Sequence, residues 1–345
     1  MHIFDYKFLK SVRIDPDLLN RAANIAKLSG RIQGYCGDSG PVAEALSRHA
    51  SVMSVRDSGI LDGISVNPDR LMGIVSGSVS PRGYDEIELA GYGRVLGRIK
   101  RDYPKIVLGK QTILSLHAML MSDSGRNESG FKTRDTVVED RDGHLTRIYP
   151  TVPAKRAEES IDQLVGAFWE ARDDESINSM LLIPCFVMDF LRISPFTEGN
   201  GRMAMLLTDL LLYQEGYGVC RYASMESKIC ASRTDYHQVL EESYKGWMEN
   251  SCDYTPFIHY FLGELFLCLR DLNRMAGEES GRKKKSGSLE TYLRMNTMPF
   301  SKSDLMALFP EISKKTVERT LVRMCDEGII EMMGAGRAVR YMPKA

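Results

Sequence analysis

A nine-residue polar segment, Ser194-Pro-Phe-Thr-Glu-Gly-Asn-Gly-Arg202, lies between two strongly apolar helical patterns and constrains the fold more than any other feature. The first pattern ends near Ile193, and the second runs from Arg202 to Leu210. The glycines let backbone amides approach an anion closely, and the start of the following helix favours phosphate. Arg202 adds a planar fork for phosphate, and Glu198 adds a hard oxygen ligand for magnesium. We therefore expect a phosphate-binding loop between two buried helices.

The overall composition excludes a strong general attraction to nucleic acid or to anionic membranes. The 345 residues include 45 Lys and Arg against 46 Asp and Glu, so any basic patch must be local. The N-terminus lacks an apolar signal core, and no run approaches the ~18 apolar residues of a membrane span. The seven cysteines form no CxxC pair and are expected to be reduced. A cytoplasmic protein without a membrane anchor is expected.

The periodicity predicts a mainly α-helical chain with four parts. Residues 1–75 form an N-terminal helical region, 76–275 a core domain, 276–288 a polar linker and 289–345 a winged helix-turn-helix. Within the core, an alternating pattern at 137–149 with Asp142-Gly143 at its centre predicts a β-hairpin. Helices are predicted at about 84–100, 111–121, 156–173, 178–193, 200–215, 228–246 and 253–275, after two segments between 16 and 63.

The polar segment resembles the signature of the Fic (Fido) family, which reads His-Pro-Phe, any residue, Asp or Glu, Gly-Asn-Gly-Arg, two residues, Arg. The chain keeps the Pro, Phe, Glu, Gly, Asn, Gly and first Arg in register. Gly130-Phe131-Lys132-Thr133 is similar to the family's Gly-x-aromatic-basic segment, and the hairpin falls where the family has a flap that docks its target. The resemblance covers about residues 40–275, and it implies a helical bundle with a hairpin flap.

The resemblance also implies the components of a nucleotide site. ATP would be held by Thr197, Gly199, Asn200, Gly201 and Arg202, and Mg²⁺ by Glu198. Tyr236, in Ser232-Arg-Thr-Asp-Tyr236, is similar to the segment that helps to wall the adenine pocket, although a core tyrosine explains it equally well. A target protein would dock on the hairpin at 137–149.

Ser58-Gly-Ile-Leu-Asp62-Gly63 resembles the family's inhibitory element, in which Ser or Thr is followed after three residues by Glu. The i,i+4 spacing places Ser58 and Asp62 on one helical face, so that a carboxylate could project toward the nucleotide site. The acid here is one methylene shorter. The alternative interpretation is a helix end with Gly63 as its C-cap. The Glu86–Tyr92 segment, similar to the family's next helix, favours the inhibitory interpretation.

Two positions depart from the family signature. Ser194 stands where the catalytic histidine takes a proton from the target hydroxyl, and Met205 stands where the second arginine is expected. A neutral hydroxyl is a poor base at neutral pH, and loss of a positioned base typically costs ~10²–10⁴-fold in rate. Together with the shortened acid, these changes favour natural divergence over an engineered substitution. His117 and His237, in core helices, are expected to be packing residues.

The C-terminal module has the pattern of a recognition helix. From Ser313, the residues Val317, Leu321 and Met324 recur at helical spacing and should face the module core. Positive charges project elsewhere and could bind DNA, with two more near the predicted wing. These residues are Lys315, Arg319, Arg323, Arg337 and Arg340. Winged helices also dock proteins or form dimers, so a homodimer remains open.

Two functions from different classes follow. The first is a protein adenylyltransferase that binds ATP and Mg²⁺, restrained by Asp62 and weak or inactive because of Ser194. The second is a non-catalytic transcriptional or toxin–antitoxin-like regulator that acts through DNA binding by the C-terminal module. Phosphocholine or phosphate transfer, which relatives carry out, fits the Gly-Asn-Gly-Arg form less well than AMP transfer.

Overall fold

Helices dominate the computed structural model, as the apolar periodicity predicts. It describes residues 2–36, 40–123, 130–142, 145–281, 288–334, 336 and 339–344. The N-terminal part consists of α1 (Pro16–Cys36), α2 (Pro41–Leu61) and α3 (Pro68–Val75). The core follows with α4 (Gly83–Asp102), α5 (Lys110–Met121), β1 (Val137–Asp142), β2 (Leu145–Pro150), α6 (Ala154–Arg172), α7 (Ser179–Ile193), α8 (Asn200–Gln214), α9 (Met225–Ala231), α10 (Arg233–Ser243) and α11 (Thr255–Gly281).

Proline and side-chain caps set the starts of the N-terminal helices. Each of α1, α2 and α3 begins at a proline, whose fixed φ suits the first helical position. Asn67 caps α3 by accepting a hydrogen bond from the backbone of Asp69 at 2.9 Å. The sequence did not predict α3, because its eight residues give too short a period to recognise.

The most buried helix of the core is α7, which packs against α6, α8 and α11. Asp189 on this helix is fully buried, and its carboxylate oxygens accept hydrogen bonds from protein groups instead of from water. It accepts from Tyr6 Oη at 2.8 Å, Trp247 Nε1 at 2.7 Å and Tyr254 Oη at 2.9 Å. These bonds tie the N-terminal segment and the α11 end of the bundle to α7, which fixes the helix that leads into the polar segment.

Two helix predictions needed correction. The helix predicted at 228–246 is divided into α9 and α10 at Ser232, whose Oγ bonds the Lys228 carbonyl at 3.0 Å and the Tyr260 hydroxyl at 2.7 Å. The helix predicted to end at 275 continues to Gly281. It continues because α11 packs along α1, where Gly277 lies against the Tyr35 ring. Residues 276–281 are therefore helical, and the rest of the predicted linker, up to residue 287, lies outside the described residues.

The predicted hairpin is present as an antiparallel pair. Val137 pairs with Pro150 and Asp142 with Leu145. The turn residues Gly143 and His144 lie outside the described part of the chain. The hairpin leaves the bundle beside α7, because Lys132 N–H donates to the Pro195 carbonyl at 2.9 Å just before β1.

The C-terminal module consists of α12 (Ser288–Met295), α13 (Lys302–Leu308), α14 (Lys314–Asp326), β3 (Ile330–Met333) and β4 (Arg340–Pro343). This is the predicted order of three helices and a two-stranded hairpin, which completes the expected mainly α-helical class. Val317, Leu321 and Met324 are buried, as their spacing predicts. Arg337 is outside the described residues. Among the described helices, none has the length and apolar character needed to cross a membrane.

Candidate functional site

The polar segment forms a rigid loop between α7 and α8. The side chain of Asn200 clamps it, accepting from Phe196 N–H at 3.0 Å and donating to the Phe196 carbonyl at 2.8 Å. Gly199 precedes α8 with φ +76°, a left-handed conformation that disfavours other residues. Phe196 is buried under the loop. The first turn of α8 therefore presents its backbone N–H groups from a fixed position.

His117 supports the same loop from α5. Its ring stacks on Phe196 with a centroid distance of 3.6 Å, and its Nε2 donates to the Glu198 carbonyl at 3.0 Å. Burial lowers the pKa of His117 to about 4, so the ring is neutral at physiological pH. This agrees with the expectation of a packing residue, although its partner is the backbone of the loop.

A cavity of about 760 Å³ lies in front of the loop. The structure brings every predicted site residue to its wall, including three from α2 and its end that are remote in sequence. These residues are Ser58, Asp62, Gly63, Ser194, Thr197, Glu198, Gly199, Asn200, Gly201, Arg202 and Tyr236. The volume suits a nucleotide-sized ligand.

Arg202 is held between two carboxylates in this wall. Its Nε donates to Asp62 Oδ2 at 2.7 Å, and its Nη2 lies 2.6 Å from Glu88 Oε2. The side chains of Arg202 and Glu88 are each 4% exposed, whereas that of Asp62 is 30% exposed. The guanidinium thus already carries the two charge-assisted contacts that a bound anion would make.

Asp62 lies directly against the loop. It follows the last residue of α2, and a Cβ built on Gly201 would be 3.3 Å from its Oδ1. Burial raises the pKa of Asp62, and the adjacent Arg202 opposes that rise. A carboxylate of the chain itself therefore lies beside the first turn of α8, where an anion is favoured.

The Ser194 hydroxyl is hydrogen-bonded to the backbone and is not placed to act as a base. It ends α7 in the left-handed conformation at φ 43°, and it is 1% exposed. Its Oγ donates to the Leu191 carbonyl at 2.6 Å, so its proton is engaged by the backbone. Met205, at the expected second arginine, is an apolar part of the cavity wall.

Glu198 is the predicted metal ligand, and its Oε2 accepts a hydrogen bond from Tyr84 Oη at 2.8 Å. Burial and the neighbouring carboxylates raise the pKa of Tyr84, so the phenol remains a donor. Mg²⁺ commonly uses one or two carboxylates together with water and phosphate oxygens. A carboxylate facing a cavity of this size fits that mode of binding, with the ligand supplying the other oxygens.

Tyr236 satisfies both interpretations of its role. It lines the cavity, and its ring also packs near Tyr260 and Phe257 at centroid distances of 5.8 and 6.2 Å. His237 and Leu240 extend the same apolar side of the wall. These α10 residues therefore share the cavity with the polar loop.

Sequence reasoning did not assign Tyr84 and Glu88 to the site, although both line the cavity, and it noted Lys132 only within the Gly130–Thr133 segment. Tyr84 and Glu88 have i,i+4 spacing on α4, a signal that placed them on one face but did not say which face. Lys132 Nζ donates to Thr151 Oγ1 at 2.7 Å and to the Ile193 carbonyl at 3.2 Å. Burial lowers the pKa of Lys132 to about 8. It joins the hairpin base to the end of α7.

Comparison with known proteins finds a family match within the core and a similar fold over most of the chain. Residues 107–212 match the model of the Fic/DOC family. The fold is similar to that of a Fic family protein from Desulfovibrio desulfuricans G20, with TM-score 0.61 and 19% identity over 96% of this chain and 97% of that one. A Fic domain containing signaling protein from Bacteroides thetaiotaomicron has TM-score 0.61 and 17% identity over 76% of this chain and all of that one.

A Fic-1 fragment from C. elegans shares the fold at TM-score 0.57 and 17% identity, over 76% of this chain and 74% of the fragment. No curated protein matches the chain significantly. The family match spans α5, the hairpin and α6 to most of α8, which includes the whole polar loop. Residues 107–212 of the chain therefore match the Fic/DOC family, and this part includes Ser194 and the polar loop.

Proposed function

We propose that the chain binds ATP with Mg²⁺ in the cavity, and that any transfer of AMP to a protein hydroxyl is slow. The observation that carries this proposal is the Asp62 carboxylate on Arg202 Nε, 2.7 Å away and beside the first turn of α8. An anion is stable at this position in the chain itself. A phosphate group has the same charge-assisted hydrogen-bonding chemistry and would replace it.

The rest of the cavity supports a nucleotide. The phosphates would lie along the loop at Thr197, Gly201 and Arg202, and the adenine against the aromatic side at Tyr236. Glu198 would hold the Mg²⁺, which neutralises phosphate charge when bound. The hairpin base beside Lys132 would present a target segment. The use of ATP fits a cytoplasmic protein.

Slow transfer is proposed because the position of the base lacks one. The target hydroxyl would have to lose its proton as its oxygen attacks the α-phosphorus and the bond to pyrophosphate breaks. Ser194 Oγ has no appreciable proton affinity at neutral pH, and its hydrogen is donated to Leu191. Met205 provides no charge for the terminal phosphate. Positioning and electrostatics would remain, and general-base catalysis would be absent.

Calorimetry with Mg·ATP tests the binding proposal. We expect saturable binding by the intact chain and at least a roughly tenfold loss in Arg202→Ala, since hydrogen bonds to charged groups contribute about 1.5–3 kcal/mol. Arg202→Lys keeps the charge but not the fork, and should be intermediate. Arg319→Ala is the matched control, because Arg319 is exposed on α14. No measurable heat from the intact chain and from Asp62→Ala would refute the proposal.

A second candidate is DNA binding by the C-terminal module. Lys315 and Arg319 are exposed on α14, whereas Arg323 pairs with Glu290 and Arg340 with Asp304. Lys315 and Arg319 form no ion pair with the residues that the structure describes, which favours phosphate contacts. A mobility-shift assay at increasing salt decides the matter, because affinity that does not fall with salt contradicts binding by these basic residues.

A further inference from the structure

We infer that Glu88 is a positioning residue of the phosphate site, holding Arg202 from behind while Asp62 occupies the place of the incoming phosphate. The inference rests on the proposed binding of ATP and assigns different roles to two acids on one arginine. Both acids contact the guanidinium at nearly equal distances, 2.7 Å from Nε to Asp62 and 2.6 Å from Nη2 to Glu88. Distance alone does not separate their roles.

The surroundings of Glu88 make it a fixed partner. It lies in the interior of α4, which packs against α2, α5 and α8. The next residue, Leu89, and Tyr92 one turn later are buried. Tyr92 Oη is itself hydrogen-bonded to the buried Glu226. The helix is thus fixed, and the Glu88 side chain, 4% exposed, has little room to move away from Arg202.

Asp62 has the features of a displaceable partner. It stands at the end of α2 rather than inside a helix, and its side chain is 30% exposed against 4% for Glu88. Gly63 follows with φ +76°, so the chain turns away immediately after the acid. Ile64 is buried and its N–H donates to the Gly59 carbonyl at 2.8 Å, so the partly exposed Asp62 side chain, rather than the helix end, would move away from Arg202.

Asp62 competes directly with a phosphate for Arg202. It accepts from Nε, the donor that a phosphate oxygen would need, so this acid has to leave Nε before a phosphate can bind there. Arg202 Nη1 is buried and has no hydrogen-bond partner among the described residues. When Asp62 leaves, Nε becomes available to a phosphate oxygen while Nη2 stays on Glu88. Nη1 points away from the Nε–H group and remains a separate donor. Glu88 thus orients the arginine in the bound state.

The two acids should have opposite effects on phosphate binding. Asp62→Ala should raise the affinity for Mg·ATP by about tenfold, because the competing anion is gone. Glu88→Ala should lower it by about tenfold, because Arg202 loses its orientation. Glu88→Gln keeps one carbonyl acceptor for Nη2 and should rescue part of the loss. Adenosine, which has no phosphate, should bind equally to all of these variants.

Calorimetry with Mg·ATP and with adenosine on the full chain tests this inference. A second comparison, Glu88→Gln in the Asp62→Ala background, should cancel part of the gain and avoids relying on the alanine variant. Higher ATP affinity in Glu88→Ala or Glu88→Gln would show that Glu88 merely competes with phosphate, and would overturn the inference. Equal losses for ATP and adenosine would indicate a structural role and would also overturn it.

The failure of the underlying proposal has a different signature. If neither the intact chain nor Asp62→Ala binds Mg·ATP, the proposed function is refuted and this inference falls with it. If Asp62→Ala binds ATP more tightly and Glu88→Gln does not weaken it, only the inference is refuted.

Discussion

Two ion pairs with similar N–O distances lie in very different surroundings, one in the cavity and the other in the C-terminal module. Arg202 and Glu88 are 2.6 Å apart and each 4% exposed, whereas Lys302 and Glu318 are 2.8 Å apart and 41% and 46% exposed. An exposed pair contributes about 0–1 kcal/mol and is screened by salt. Removing one partner of a buried pair costs about 3–5 kcal/mol, because a buried charge is left alone.

This difference in burial indicates which of the two regions is the better candidate for a functional site. Buried charges around the loop persist only because several elements, α2, α4 and α8, hold them together. The charges of α14 need no such arrangement, since water solvates them. The cavity is therefore the stronger functional signal, and the basic helix is a weaker one. Four predictions test this contrast, beginning with the largest expected effect.

The first prediction tests whether the cavity is a transfer site that lacks its catalytic base. Ser194→His should increase labelling of protein by labelled ATP by roughly 10²–10⁴-fold, since a positioned base contributes that factor. Incorporation of label into a mixture of candidate protein targets, or into the chain itself, measures it. Ser194→Ala is the control and should label no faster than the parent. Equal labelling by the parent and Ser194→His would contradict a missing base.

The second prediction concerns acid sensitivity of the loop. The folded pKa of His117 is about 4 and its ordinary value is 6.5, so between these values the unfolded state binds more protons. Stability should therefore fall as pH drops from 6.5 toward 4, by up to about 3 kcal/mol from this residue. Denaturant unfolding of His117→Gln should show a flatter acid limb.

His49 provides a control for this experiment, because burial lowers its pKa to about 4 as well. His49→Gln should also flatten the acid limb but leave ATP affinity unchanged. His117→Gln should change both, since His117 contacts the loop at Glu198. Equal ATP affinities in the two variants at pH 7 would separate His117 from the site.

The third prediction tests the exposed charges of the module. Replacing Lys315 and Arg319 together with alanine should weaken DNA binding by about tenfold, similarly for all sequences, and make the log–log salt slope shallower by roughly two. Mobility shifts over a salt series measure both quantities. Arg101→Ala, an exposed arginine on α4, is the control. An unchanged slope would mean that α14 does not contact DNA phosphates.

The smallest effect is expected where the module meets α2. Arg48 pairs with Glu311 at 2.9 Å, and its guanidinium lies 4.2 Å from the Phe309 ring centroid. Arg48→Ala should lower the free energy of unfolding by about 1 kcal/mol, because the pair is partly exposed. Arg48→Lys should retain part of it. A loss of several kcal/mol in thermal or urea unfolding would show that this contact behaves like the buried pairs of the cavity.

Much of the fold could be predicted from the sequence, because its local apolar patterns agree with the tertiary structure. The apolar period of α7 and α8 gave both helices and the loop between them, and Val317, Leu321 and Met324 gave the inner face of α14. The helix bounds were predicted wrongly where contacts between distant parts of the chain set them. Ser232 divides α9 from α10 while contacting Tyr260, and α11 passes its predicted end because it packs along α1.

The sequence by itself determined the chemistry of the loop. Gly199 can adopt a positive φ, Arg202 can offer a planar fork, and Ser194 cannot act as a base, whatever surrounds them. Only the tertiary structure decided which groups meet there. Asp62 lies 140 residues from Arg202 along the chain, and their contact depends on how α2, α4 and α8 pack. Because electrostatic interactions depend on distance and burial, the buried contact of Glu88 with Arg202 could be found only from the tertiary structure.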